Sequence, residues 1–263
     1  MKHFFTIILG IACAAVLFFG HSYWNKRIEA APEKTSSLSN DKAATAQTIE
    51  NEGSEEDIIV HTGNWPTTAV DRFKQTLNEK KPFKVLFVGS PAIGSNTAGT
   101  YPTVKEKLLE TFGKKNIQVD HKTFHSTSTE VIKNNKQDEI AAAEADLIVL
   151  EPFILLNNGE VLLENTLKDL TKIMDDIKAA NPDTTIILQP SFPLYKARIY
   201  PTQVAELKKY AAQNQIAYLD HWSAWPDPST EAIKEYLTSD QSAPSDQGYQ
   251  VWTDYLLHYL ISE

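Results

Sequence analysis

Residues 84–88, Lys-Val-Leu-Phe-Val, are apolar at four consecutive positions and run straight into Gly89-Ser90-Pro91. A strand that is apolar on both faces must be covered on both, which in water means a sheet held between layers of helix. Residues 146–150 (DLIVL), 184–189 (TTIILQ) and 216–219 (IAYL) have the same character, and residues 117–124 supply a further strand. Between these runs the apolar residues recur at helical spacing. Val70, Phe73 and Leu77 share a face in residues 66–80; Val104, Leu108 and Leu109 do so in 103–112. Leu167, Leu170, Ile173, Met174 and Ile177 line residues 165–180. Further helices are expected over residues 128–144, 202–213, 231–237 and 248–261, the last carrying Val251, Trp252, Tyr255, Leu256 and Tyr259. Five strands alternating with helices predict a three-layer α/β/α domain with a five-stranded, mostly parallel sheet over residues 65–263.

The sequence ahead of that domain is of two kinds. In residues 1–27, Lys2 precedes an unbroken apolar run from Phe4 to Gly20, followed by Tyr23, Trp24, Lys26 and Arg27. Its length lies between a short membrane span and a long signal-peptide core. The favoured expectation is an uncleaved signal anchor that holds the domain outside the cell; the alternative is a cleaved signal peptide and secretion. A lipoprotein site at Cys13 fits less well, because Ala14 to Phe19 continue the apolar run. Residues 28–64 are rich in Ala, Ser, Thr, Glu and Asn and contain the acidic stretch ENEGSEED. Such a segment buries too little apolar surface to offset its ordering entropy, so it is expected to be a disordered tether.

A net charge of −9 argues against a nucleic-acid surface, which needs clustered Lys and Arg. Cys13 is the only cysteine, so the domain has neither a disulfide nor a cysteine metal site. No HExxH, GxxxxGK[ST] or GxGxxG motif is present, and the His and carboxylate residues show no metal-ligand spacing; no cofactor or metal is expected.

In an open α/β sheet, ligands bind beyond the carboxyl ends of the strands. The loops there, residues 89–100, 124–129, 151–160 and 189–200, all carry polar side groups, and a fifth polar group, residues 240–248, precedes the last helix. In this order, spacing and local blocks the sequence resembles the SGNH/GDSL hydrolase superfamily from Phe83 to its C-terminus. The resemblance implies a flavodoxin-like fold and ester hydrolysis by a Ser-His-Asp arrangement, with an oxyanion hole made by the serine N–H, a Gly N–H and an Asn amide. A weak hydroxyl nucleophile needs an adjacent base, and donors must wait where the oxyanion forms.

Block by block the sequence departs from that pattern. Where the family has Gly-Asp-Ser, VLFVGSP puts Ser90 at the Asp position and Pro91 at the Ser position, and proline has neither hydroxyl nor N–H. FHSTST offers Ser126 where the family has Gly. LEPFILLNNG brings Asn157 and Asn158 two or three residues late for the family's Gly-x-Asn-Asp. The family's Asp-x-x-His-Pro is Asp240-Gln241-Ser242-Ala243-Pro244, with Ala243 at the His position. If the domain is active, the sequence offers Ser90 as hydroxyl, Asn157 or Asn158 as oxyanion donor, Asp240 as the acid that orients a base, and His221 as the only base with a suitable position. Asp220-His221 could itself act as an acid/base pair, although adjacent strand residues face opposite ways. Glu151 opens the third loop, where it can line the ligand crevice or merely cap a neighbouring loop. His125, Trp222, Trp225, Tyr195 and Tyr200 are weaker candidates, for which packing is the plainer role.

Two functions follow from this reading. One is an exported, membrane-tethered, lipase-like esterase that hydrolyses acyl or acetyl esters of lipids or cell-envelope glycans, its substrate a small-molecule or glycan ester. The other is a catalytically silent domain of the same fold that binds an envelope glycan or a protein.

Overall fold

The computed structural model of the protein describes residues 55–263. The anchor expected over residues 1–27, and residues 28–54 of the expected tether, lie outside the described residues. Residues 55–64 do not behave as tether. They form α1 (Glu55–Ile59) and a 3-10 turn (Val60–Thr62), with Ile58 and Thr62 buried. The carboxyl terminus clasps this segment: Ser262 N–H donates to His61 O at 2.8 Å, and Trp65 Nε1 donates to Leu260 O at 2.9 Å. Composition missed this packing because the partners of residues 58–65 lie near residue 260.

Helix α2 (Thr67–Asn78) leads into β1 (Phe83–Gly89); α3 (Thr100–Phe112) and β2 (Ile117–Thr123) follow. Next come α4 (Ser128–Lys133), α5 (Lys136–Ala141), β3 (Leu147–Leu150), α6 (Ile154–Asn157) and α7 (Leu163–Ala180). The domain ends with β4 (Thr185–Leu188), α8 (Tyr200–Gln213), β5 (Ala217–Tyr218) and α9 (Asp246–Leu260). The five strands are ordered β2-β1-β3-β4-β5, and every pairing is parallel. The α/β/α expectation holds, with the sheet wholly rather than mostly parallel.

Two corrections are local. The helix expected over residues 128–144 breaks into α4 and α5, because Asn135 takes a left-handed conformation (φ 53°) that asparagine tolerates better than most residues. The segment expected as a helix over 231–237 is a 3-10 helix, Glu231–Tyr236.

Alternation of facing along β1 divides the core. Phe83, Val85 and Phe87 pack with Phe73, Val104, Leu108 and Trp252, contributed by α2, α3 and α9. Leu86 and Val88 pack with Val131, Ile140, Leu170, Ile173 and Leu207, contributed by α4, α5, α7 and α8. Both faces of the sheet are thus covered, which is why β1 and β3 are apolar at successive positions. The winding of the sheet reverses between β1 and β3, the neighbours at its topological switch point. Their carboxyl ends are therefore where a ligand crevice is expected in this topology.

Candidate functional site

At the switch point the crevice is filled from within. Glu151, the first residue after β3, is fully buried and turns its carboxyl beneath β1, where Oε2 accepts from Ser90 N–H at 2.6 Å. The close approach requires Gly89: a Cβ there would lie 2.7 Å from Glu151 Cβ and 2.9 Å from Oε2. Phe153, two residues on, holds a left-handed backbone (φ 61°), unusual for a bulky residue, and its N–H bonds to Glu151 O. Burial pushes the Glu151 carboxyl above the ordinary carboxylate range, against the opposing pull of its bonds from Ser90. Burial and the neighbouring Glu151 push the buried Tyr200 hydroxyl well above its own ordinary value.

Ser90 is itself buried, and its Oγ accepts from Ala92 N–H, capping the 3-10 turn Pro91–Ile93. The expected hydroxyl nucleophile is thus a cap and a neighbour of Glu151, and no histidine ring is hydrogen-bonded to it. Among the described residues no serine hydroxyl is hydrogen-bonded to a histidine ring.

His221 corrects the expectation of a base. Its Nδ1 accepts from Trp225 Nε1–H at 3.1 Å, and its Nε2 donates to Pro190 O at 2.9 Å. An indole N–H can only donate and a carbonyl only accept, so the tautomer is set and the one ring lone pair, on Nδ1, is engaged by Trp225. The ring lies flat against Trp252, with centroids 4.5 Å apart and planes 10° from parallel. Burial drives its pKa from the ordinary 6.5 down to about 4. Asp220, its sequence neighbour, pairs instead with Lys208.

Asn157 and Asn158 separate sharply. Asn157 is buried at the end of α6, with Oδ1 accepting from Ser128 N–H at 2.8 Å. Its Nδ2 donates to Ser128 Oγ at 2.7 Å and Thr166 Oγ1 at 2.8 Å. Both amide hydrogens are used in tying α4 to α7, which leaves none for an oxyanion. Truncation should strand the buried Ser128 N–H. Asn157→Ala is therefore expected to lower stability by about 2 kcal/mol in a urea titration. Asn158 is half-buried and its amide makes no hydrogen bond among the described residues, so Asn158→Ala should fall within about 0.5 kcal/mol of the unmodified protein. Equal losses would contradict this division.

Asp240 lies at the tip of the loop closed by the Leu237–Pro244 bridge. Its Oδ1 accepts from Thr238 Oγ1 at 2.7 Å, Ser242 Oγ at 2.8 Å and Ser242 N–H at 3.1 Å. The Thr238 bond first, then those from Ser242, hold its pKa down to about 2. It orients its own loop and no base; Ala243, at the family's His position, directs its N–H to Thr238 Oγ1.

No hydrogen bond joins any two of the five expected residues. Sequence reading placed Glu151 at the crevice but missed its contact with Ser90. It placed Trp252 in the core of the last helix but missed its contacts: Nε1 donates to Gln189 Oε1 at 3.1 Å and its face supports His221. The signal was present in part: a Gly immediately ahead of Ser90 marks a close approach.

No protein-family model matches the sequence, and no curated protein matches it. Solved structures do resemble it. A protein described as a GDSL-like lipase from Parabacteroides merdae superposes with a TM-score of 0.57 at 15% identity, over 69% of this protein and 96% of that one. An acetylxylan esterase from Geobacillus stearothermophilus, crystallised as a catalytic mutant, gives 0.55 at 16% identity, over 68% and 94%. A lipolytic protein of the G-D-S-L family from Desulfitobacterium hafniense gives 0.51 at 18%, over 67% and 99%. At these identities the likeness is one of fold.

Proposed function

We propose that this domain, which has the fold of the SGNH/GDSL hydrolases, serves as a binding module and does not hydrolyse esters. One observation carries the reading: the groups a serine esterase would need free are spent internally. Ser90 caps a turn above Glu151, and His221 has both ring nitrogens committed. Losing nucleophile and base together removes the machinery rather than weakening it.

The surface at the same end of the sheet supports binding. Leu162 and Ile199, 74% and 63% exposed, stand at the caps of α7 and α8, where neither makes a capping hydrogen bond through its side group. Helices that follow parallel strands start at the strands' carboxyl ends, so both residues lie at the ligand end of the fold. Polar residues favour cap positions for local reasons; apolar ones exposed there suit contact with a partner. The apolar run Phe4–Gly20 supports an attachment to the membrane, and the neighbours' chemistry supports an envelope glycan as the ligand class, with a protein partner as the alternative.

A second reading, hydrolysis of small-molecule or glycan esters, is favoured by the contact of Ser90 with a carboxyl whose proton affinity is raised. Assay of the full-length protein on p-nitrophenyl acetate and on an O-acetylated glycan separates the two. The expected result is turnover indistinguishable from buffer, with retention of the protein on the immobilised glycan. Turnover that disappears in a folded Ser90→Ala variant would establish the esterase instead.

A further inference from the structure

We propose that Asn158 is a site of spontaneous deamidation, making the turn between α6 and α7 a chemically ageing element of the domain. Asn158-Gly159 is the only Asn-Gly step in the sequence. Gly159 is exposed, has φ 86°, and meets no atom within 4 Å where a Cβ would stand. Its N–H makes no hydrogen bond among the described residues, and neither does the side-chain carboxamide of Asn158, whose backbone N–H bonds to Leu155 O at 3.3 Å. The nucleophile and the electrophile are therefore adjacent and unprotected, and glycine brings no Cβ to hinder ring closure.

The chemistry needs only water. The Gly159 amide nitrogen bonds to Asn158 Cγ and gives up its proton. The Asn158 Cγ–Nδ2 bond breaks, and Nδ2 leaves as ammonia. Water then adds to either carbonyl of the resulting succinimide and breaks one ring C–N bond. The products carry aspartate or isoaspartate at position 158, and both add a negative charge beside Glu160. The isoaspartyl product also lengthens the backbone inside the turn that Glu160 N–H and Val161 N–H close onto Asn157 O, at 3.0 and 2.9 Å.

Asn157 is the internal control. It shares the turn, but both polar atoms of its amide are bonded and buried, and the residue after it has a Cβ. The same segment thus holds one labile and one protected asparagine.

The test incubates the full-length protein in mildly alkaline buffer beside a synthetic peptide of residues 155–163, with peptide mapping and assay of released ammonia. Asn158 is expected to convert within about tenfold of its rate in the peptide, because an exposed turn opens at almost no free-energy cost. Asn157 should stay intact over the same time, and Asn158→Gln should abolish ammonia release from this turn without loss of fold. An intact Asn158 in the folded protein when the peptide has half-converted would overturn the proposal, as would conversion that maps to Asn157.

Discussion

Trp252→Ala is expected to lower the stability of the domain by about 3–5 kcal/mol, the loss typical of a buried aromatic truncated to a methyl. That is a large share of the roughly 5–15 kcal/mol that holds a domain together. Trp252 is fully buried in α9, bonds Gln189 at the end of β4, and supports the flat face of His221. Truncation opens a cavity against the sheet, leaves the Gln189 amide oxygen without its donor, and lets water reach the imidazole. Trp252→Phe keeps an aromatic face while losing the N–H, so it should retain most of the stability. Urea titrations of the two variants check this. Losses of similar size would mean that the Gln189 bond, rather than the packed ring, carries the effect.

Acid should destabilise the domain through His221. Its folded pKa of about 4 lies below the ordinary 6.5, so the unfolded state binds the proton more tightly. The stability this group contributes is fully present above pH 6.5 and is lost as pH falls towards 4. At 1.36 kcal/mol per unit, the full loss is about 3 kcal/mol. The molecular reason is specific: a proton on Nδ1 would face the Trp225 N–H, donor against donor. Glu151 acts with the opposite sign. Burial raises its folded pKa, so its contribution is present at low pH and fades as pH rises through that folded value. Thermal melts across pH should therefore show an acid-side fall that His221→Phe removes and a separate fall on the other side that Glu151→Gln removes. In the Glu151→Gln background, where the opposing term is removed, a melting temperature insensitive to pH between 4 and 6.5 would contradict the structural reading of His221.

The fold was legible because its signals are local and repeated. The apolar runs of β1, β3 and β4 and the apolar faces of α2 and α7 each declare burial within a few residues, and they agree with one another. Where a signal was weaker than its surroundings, the reading failed. Asn135 broke the helix expected over residues 128–144, a polar segment with no strong apolar face to declare its limits. Residues 55–64 looked too polar to fold until the carboxyl-terminal residues around Leu260 and Ser262 were there to pair with them.

The candidate site was legible as a place and not as chemistry. Gly89-Ser90 lies at the switch point between β1 and β3, where the topology sets the ligand end. By itself the sequence determined the α/β/α architecture, the position of that end, and the absence of a hydroxyl at Pro91 and of an imidazole at Ala243. Whether the remaining polar residues were free to react was decided only by the tertiary structure. A polar group's availability depends on partners distant in sequence. Ser90 meets Glu151 across 61 residues, Ser128 meets Asn157 across 29, and Trp252 meets Gln189 across 63. Burial is announced by a residue's own type and spacing, but hydrogen-bond satisfaction is a property of pairs, and those pairs exist only once the protein has folded.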